Sequence, residues 1–96
     1  MKEITYCIAD KNGMHARPAG AFAGVAKRFQ SKIRVFANGK EADGKRLLAL
    51  MTLGAVCNTL LTVQIEGEDE VAAAQALDAF FKNGMRAPDP IEKKEE

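Results

Sequence analysis

The sequence predicts an α+β fold, an open-faced β-sandwich in which a four-stranded antiparallel sheet carries three helices on one face, in the order β-α-β-β-α-β-α. Three observations point there. Stretches of period two alternate along the chain with stretches of helical period. Asn38-Gly39 lies between two short strand patterns, the strongest short signal for a hairpin and therefore for antiparallel pairing. No repeat or internal linker divides the 96 residues, a length that suits one core and would leave two marginal.

The elements follow in order. Ile4, Tyr6 and Ile8 alternate with polar or small residues and give a first strand with one buried face. Asp10-Lys11-Asn12-Gly13 breaks that pattern as a turn. From Ala16 to about Arg28 the period becomes helical, with Ala19, Phe22, Ala23, Ala26 and Phe29 on one stripe. Pro18 falls in the first turn, where its missing N–H has no intrahelical partner to lose. That places His15 at or beside the N-cap. Ile33, Val35 and Ala37 form the second strand, and Lys40 to about Ala42 the third.

Arg46 to Leu53 reads as a short helix with Gly54 as its stop. Leu61, Val63 and Ile65 alternate as the fourth strand. Asp69 is expected to cap the last helix, with Glu70 in its first turn. Ala73, Ala74, Leu77, Phe80 and Phe81 are its inward stripe, ended by Asn83-Gly84. The domain is expected over 1–86, followed by a charged tail over 87–96 whose two prolines and run of charges suit disorder.

Composition narrows the function. Lysine and arginine number 14 against 13 acidic residues, a balance with no nucleic-acid footprint. No apolar run approaches the length of a membrane span, and the first residues do not form a signal peptide. Cys7 and Cys57 lack CxxC spacing and are expected to be reduced, packed thiols, which suits the cytoplasm. Neither a glycine-rich phosphate loop nor a Cys/His metal cluster is present, so no metal and no cofactor are expected.

The informative stretch is Gly13-Met14-His15-Ala16-Arg17-Pro18-Ala19. The first amides of a helix lack intrahelical acceptors, and its dipole adds about half a positive charge there. A helix start is thus an anion site before side chains are counted. Arg17 brings a permanent cation able to bond phosphate oxygens. Histidine is the nucleophile that suits reversible transfer near neutral pH, attacking through a ring nitrogen and leaving readily. Taken singly, a histidine or a first-turn arginine is more often just a solvated residue. Together they suit a phosphoryl site, and from residue types alone that reading stands beside the commoner one of two solvated side chains.

That heptapeptide closely resembles the active-site motif of HPr, the histidine-containing phosphocarrier family of the bacterial phosphoenolpyruvate-dependent sugar phosphotransferase system. The resemblance extends over roughly the first 85 residues, including the Asn38-Gly39 hairpin and the segment from Lys45 to Gly54. It implies that His15 is the phosphorylated residue, through Nδ1, and that Arg17 neutralises the phosphate. Ala16 and Arg17 would offer backbone N–H groups, and Asn12 would help position the ring. The implied partners are Enzyme I as donor and the IIA proteins as acceptors, with the chain a monomeric, stoichiometric carrier and not an enzyme. A regulatory HPr-like paralogue, binding a regulator or enzyme according to its phosphorylation state, is the alternative.

On a helical wheel Leu47, Leu48 and Met51 share one arc and Leu50, Leu53 and Gly54 another. A short helix on a sheet buries one arc, leaving the other as an apolar patch. Leu47, Leu48 and Met51 are the expected docking residues, because the family that the chain resembles docks its partners through this helix. Lys27 and Lys45 would flank them. One departure stands out. Many Gram-positive HPr proteins carry, at the position of Arg46, a serine that a regulatory kinase phosphorylates and that caps the helix. Arginine does neither, so no such switch is expected here, and Asp43 would partly replace the cap.

Overall fold

The computed structural model describes residues 1–9 and 11–85; the tail expected over residues 87–96 lies outside them. Seven elements follow in the expected order. They are β1 (Lys2–Cys7), α1 (Ala16–Ala26), β2 (Lys32–Ala37), β3 (Lys40–Asp43), α2 (Leu47–Met51), β4 (Leu60–Glu66) and α3 (Glu70–Lys82). The strands make one sheet in the order β1-β4-β2-β3, with every neighbouring pair antiparallel. Tyr6 lies opposite Leu61, and Val35 opposite Val63, so β4 joins the first strand to the central hairpin.

Alternation along the strands decides which face is covered. Ile33, Val35 and Ala37 of β2, Ala42 of β3, and Leu61, Val63 and Ile65 of β4 are buried. Their neighbours in sequence point to the open face. Phe22 and Ala26 from α1, Leu50 from α2, and Leu77 and Phe80 from α3 close the core. Phe22 meets Phe80 edge-on at 5.8 Å, and Tyr6 stacks on Phe81 at 4.4 Å, which locks α1 and α3 over β1.

Helix ends are shorter than periodicity alone suggests. α1 stops at Ala26, and Arg28 N–H turns to the Val25 carbonyl at 3.1 Å as the last turn tightens. α2 is only five residues, and Leu53 N–H likewise bonds the Leu50 carbonyl at 3.2 Å. The hairpin compensates. Asn38 and Gly39 take φ of 54° and 75°, the two positive values of a type I′ turn. The Asn38 side-chain amide then donates to the carbonyls of Leu53 (3.0 Å) and Gly54 (3.2 Å), satisfying groups that the end of α2 leaves open.

Two expectations are corrected. Cys7 is exposed on the open face and Cys57 is half-buried, so neither is a packed core thiol. The alternation of β1, which turns Tyr6 inward, necessarily turns Cys7 outward. Asp69 does precede α3, but its side chain makes no cap. Its carboxylate instead accepts from the Gln30 amide (2.8 Å), the Ser31 amide (2.9 Å) and the Ser31 hydroxyl, tying α3 to the junction of α1 and β2. Ser31 is fully buried, and a buried hydroxyl and amide without acceptors would be costlier than an uncapped helix.

Candidate functional site

His15 sits between two anchors. On its N-terminal side the β1–β4 ladder runs on past the strand end, with Ile8 N–H donating to Thr59 O at 3.0 Å and Asn58 N–H to Ile8 O at 2.7 Å. Gly13 then presses against the segment that leads into β4. A Cβ there would lie 2.5 Å from the Ala55 carbonyl oxygen and 2.7 Å from Val56 Cα, and φ is +68°. Only glycine fits both demands. Met14 N–H donates to that same carbonyl at 2.8 Å, and the Met14 side chain is buried. On the C-terminal side Pro18 and Ala19, in the first turn of α1, are buried.

Between these anchors the chain faces outward. His15 is the N-cap residue, with extended backbone (φ −87°, ψ −172°), a half-buried side chain and no side-chain cap bond. Its carbonyl accepts the Ala19 N–H at 3.0 Å, the first bond of the helix. Pro18 has no N–H, so the first-turn amides without a partner among the described residues are those of Ala16 and Arg17, both exposed residues. No acidic residue occupies the turn to compete for them. No ion pair joins Arg17 to another described residue. Asn12 is exposed in the turn before Gly13.

The arrangement suits a nucleophile whose product is an anion. An imidazole at a helix start carries what it receives beside two amides and the positive end of the dipole. A guanidinium two residues on adds charge-assisted donors. Charge is balanced without burying an ion, since both Ala16 and Arg17 remain at the surface.

α2 packs next to this helix start. Leu50 and Leu53 are fully buried, whereas Leu47, Leu48 and Met51 are 37%, 75% and 41% exposed, the expected division of the two arcs. Leu47 Cδ1 lies 4.0 Å from where a Gly20 Cβ would be, one turn along α1 from Ala16 and Arg17. The apolar arc therefore adjoins the His15 end of α1. Val56, 63% exposed and against Gly13, adds a residue that the sequence did not single out. Nothing local marks it, because its place is set by contacts between distant segments.

Arg46, the N-cap of α2, makes no side-chain cap, and a cation there opposes the dipole by about 0.3–1 kcal/mol. Asp43 compensates only in part: its carboxylate accepts from Lys45 N–H at 2.9 Å, one residue ahead of the cap. Lys45 itself donates to the Phe29 carbonyl at 2.7 Å, which fixes it beside the end of α1.

The family profile "PTS HPr component phosphorylation site" matches residues 2–83. A phosphocarrier protein HPr from Buchnera aphidicola subsp. Baizongia pistaciae is 44% identical over 74 residues, covering 77% of this chain and 87% of that one. Among solved structures, HPr from Thermoanaerobacter tengcongensis superposes with a TM-score of 0.83 at 35% identity, covering 88% of this chain and 96% of that one. A structure described as an HPr dimer from the same organism gives 0.70 at 35% identity, covering 88% and 98%.

Proposed function

We propose that this chain, which belongs to the HPr family of phosphocarriers of the phosphotransferase system, accepts a phosphoryl group on His15 from phosphorylated Enzyme I and donates it to IIA proteins. The observation that carries this is the placement of His15: an N-cap imidazole held between the Met14 and Pro18 anchors, beside two amides and an arginine that are not engaged by another described residue. The ring nitrogen bonds to phosphorus as the donor–phosphorus bond breaks and the donor's group keeps that electron pair. In a second transfer the acceptor's nucleophile attacks the same phosphorus, and the His15 ring leaves with the electron pair of its N–P bond. The Ala16 and Arg17 amides and the Arg17 guanidinium hold the phosphoryl oxygens in both steps. Asn12 steadies the ring from the preceding turn. Leu47, Leu48 and Met51 form the apolar contact for both partners, and methionine suits a surface that meets more than one.

The chain works as a monomeric carrier in the cytoplasm, consumed and regenerated stoichiometrically. Among the described residues no helix is long and apolar enough to cross a membrane. With arginine at position 46, no hydroxyl stands there for a regulatory kinase.

Incubation with phosphoenolpyruvate and Enzyme I tests the reading. The expected product is one acid-labile phosphoryl group per chain, abolished in His15→Ala and formed at least about a hundredfold more slowly in Arg17→Ala, the effect of losing one oxyanion donor. A label that survives in His15→Ala refutes it. A protein that labels on His15 yet passes nothing to any IIA protein is a regulator, not a carrier.

A further inference from the structure

We propose that Thr59 is a positioning residue for phosphoryl transfer: its hydroxyl orients the peptide unit that fixes Met14, and with it the imidazole of His15. The proposal rests on the carrier reading of His15 and adds to it a residue from the segment that enters β4.

Thr59 closes the turn before that strand. Its N–H donates to the Val56 carbonyl at 3.0 Å, and Asn58 takes the positive φ, 73°, that the third position of a type II turn requires. The Thr59 side chain folds back into the same turn, where its hydroxyl oxygen accepts the Val56 N–H at 3.1 Å. That N–H belongs to the peptide unit between Ala55 and Val56, which is planar and directs its N–H and its carbonyl to opposite sides. The carbonyl, on the other side, accepts the Met14 N–H at 2.8 Å. One rigid plane thus joins the Thr59 hydroxyl to the residue that precedes His15, and each of its two bonds polarises the peptide for the other.

The clearance around that plane is small. A Cβ on Gly13 would lie 2.5 Å from the Ala55 oxygen and 2.7 Å from Val56 Cα, so the loop already rests against it. A tilt of the plane presses its oxygen on Gly13 or draws it from Met14, and packed contacts carry either shift to the next residue. The strand bonds of this segment do not use the hydroxyl. Ile8 N–H donates to the Thr59 carbonyl at 3.0 Å and Asn58 N–H to the Ile8 carbonyl at 2.7 Å, all through backbone. Removing the hydroxyl therefore leaves these strand bonds in place and frees the plane. Water can reach the exposed Val56, but a water follows the amide and does not orient it.

The test compares Thr59→Val, which keeps the β-branched shape and loses the hydroxyl, with Thr59→Ser, which keeps the hydroxyl. Initial rates of His15 phosphorylation by phosphorylated Enzyme I are measured against chain concentration. Thr59→Val is expected to lower kcat about 3- to 10-fold, as a small misplacement of a reacting group does, with KM within about twofold of wild type. Thr59→Ser keeps kcat within about twofold of wild type, even where its Tm is the lower of the two variants. Hydrogen exchange at the Met14 amide should quicken about fivefold or more in Thr59→Val and stay near wild type in Thr59→Ser. A wild-type kcat in folded Thr59→Val overturns the proposal. So does a fall in kcat with Met14 exchange unchanged, or a Thr59→Ser chain as slow as Thr59→Val. A wild-type chain that takes up no acid-labile label brings down the carrier reading and this proposal with it, and shows itself before any Thr59 variant is compared.

Discussion

Two helix starts in this molecule are built in opposite ways. At α3 the first turn carries Glu70, which accepts the Gly67 amide at 3.1 Å and pairs with the Met1 amino group at 2.9 Å. Just before it, Asp69 gathers three donors from Gln30 and Ser31. At α1 no acid enters the first turn, no side chain among the described residues caps it, and Ala16 and Arg17 stay exposed. One positive helix end is faced by the protein's own carboxylates; the other has none in its first turn, and in the proposed function it receives the phosphoryl oxygens. Stability and chemistry draw on the same physical resource, and the chain divides it between two ends of the fold.

The comparison breaks most sharply at Gly13. Alanine there would force a Cβ into the Ala55 carbonyl at positive φ, so Gly13→Ala is expected to cost about 3 kcal/mol and to displace His15 as well. Chemical denaturation and the rate of His15 labelling should fall together. A variant of full stability would show that the anchor is not what holds the α1 start.

At the α3 end, acid is the probe. Hydrogen bonds from the Ser31 hydroxyl, and then from the Gln30 amide, hold the Asp69 carboxyl below its ordinary value of 3.8. The Met1 amino group, and then the Gly67 amide, do the same for Glu70 below 4.5. A carboxyl lowered in the folded state contributes stability that is present above its unfolded pKa and lost as pH falls through the folded one. Wild type should therefore lose more Tm than Asp69→Asn between pH 5 and acid conditions, and the two curves should converge. Labelling of His15 near neutral pH should be unchanged in folded Asp69→Asn. Parallel melting curves across that range would show that Asp69 gains nothing from its three donors.

The smallest effect belongs to Gly24 on the exposed side of α1. Nothing lies within 4 Å of where its Cβ would be, so Gly24→Ala should stabilise the helix by about 0.5–1 kcal/mol. A loss of stability would place a steric limit there that the fold does not show.

Much of this was legible from local pattern. Seven elements, the I′ hairpin and the two arcs of α2 follow from period, Asn-Gly chemistry and short-range spacing, all of which act within a few residues. The position of His15 at a helix start followed the same way, because Pro18 and the apolar stripe beginning at Ala19 fix where α1 begins. What failed were choices between competing partners. Asp69 had a local cap available and instead took Ser31, 38 residues away, because a buried hydroxyl needed an acceptor.

The sequence by itself determined which residues form each strand and helix, and that one imidazole stands at a helix start with an arginine beside it. Only the tertiary structure decided that β4 lies between β1 and β2, that Ala55 and Val56 clamp Gly13, and that Leu47 abuts α1 near Gly20. Period and propensity are properties of neighbours along the chain. The site depends on segments far apart in sequence, and their pairing is settled by the joint burial of sheet and helices at once.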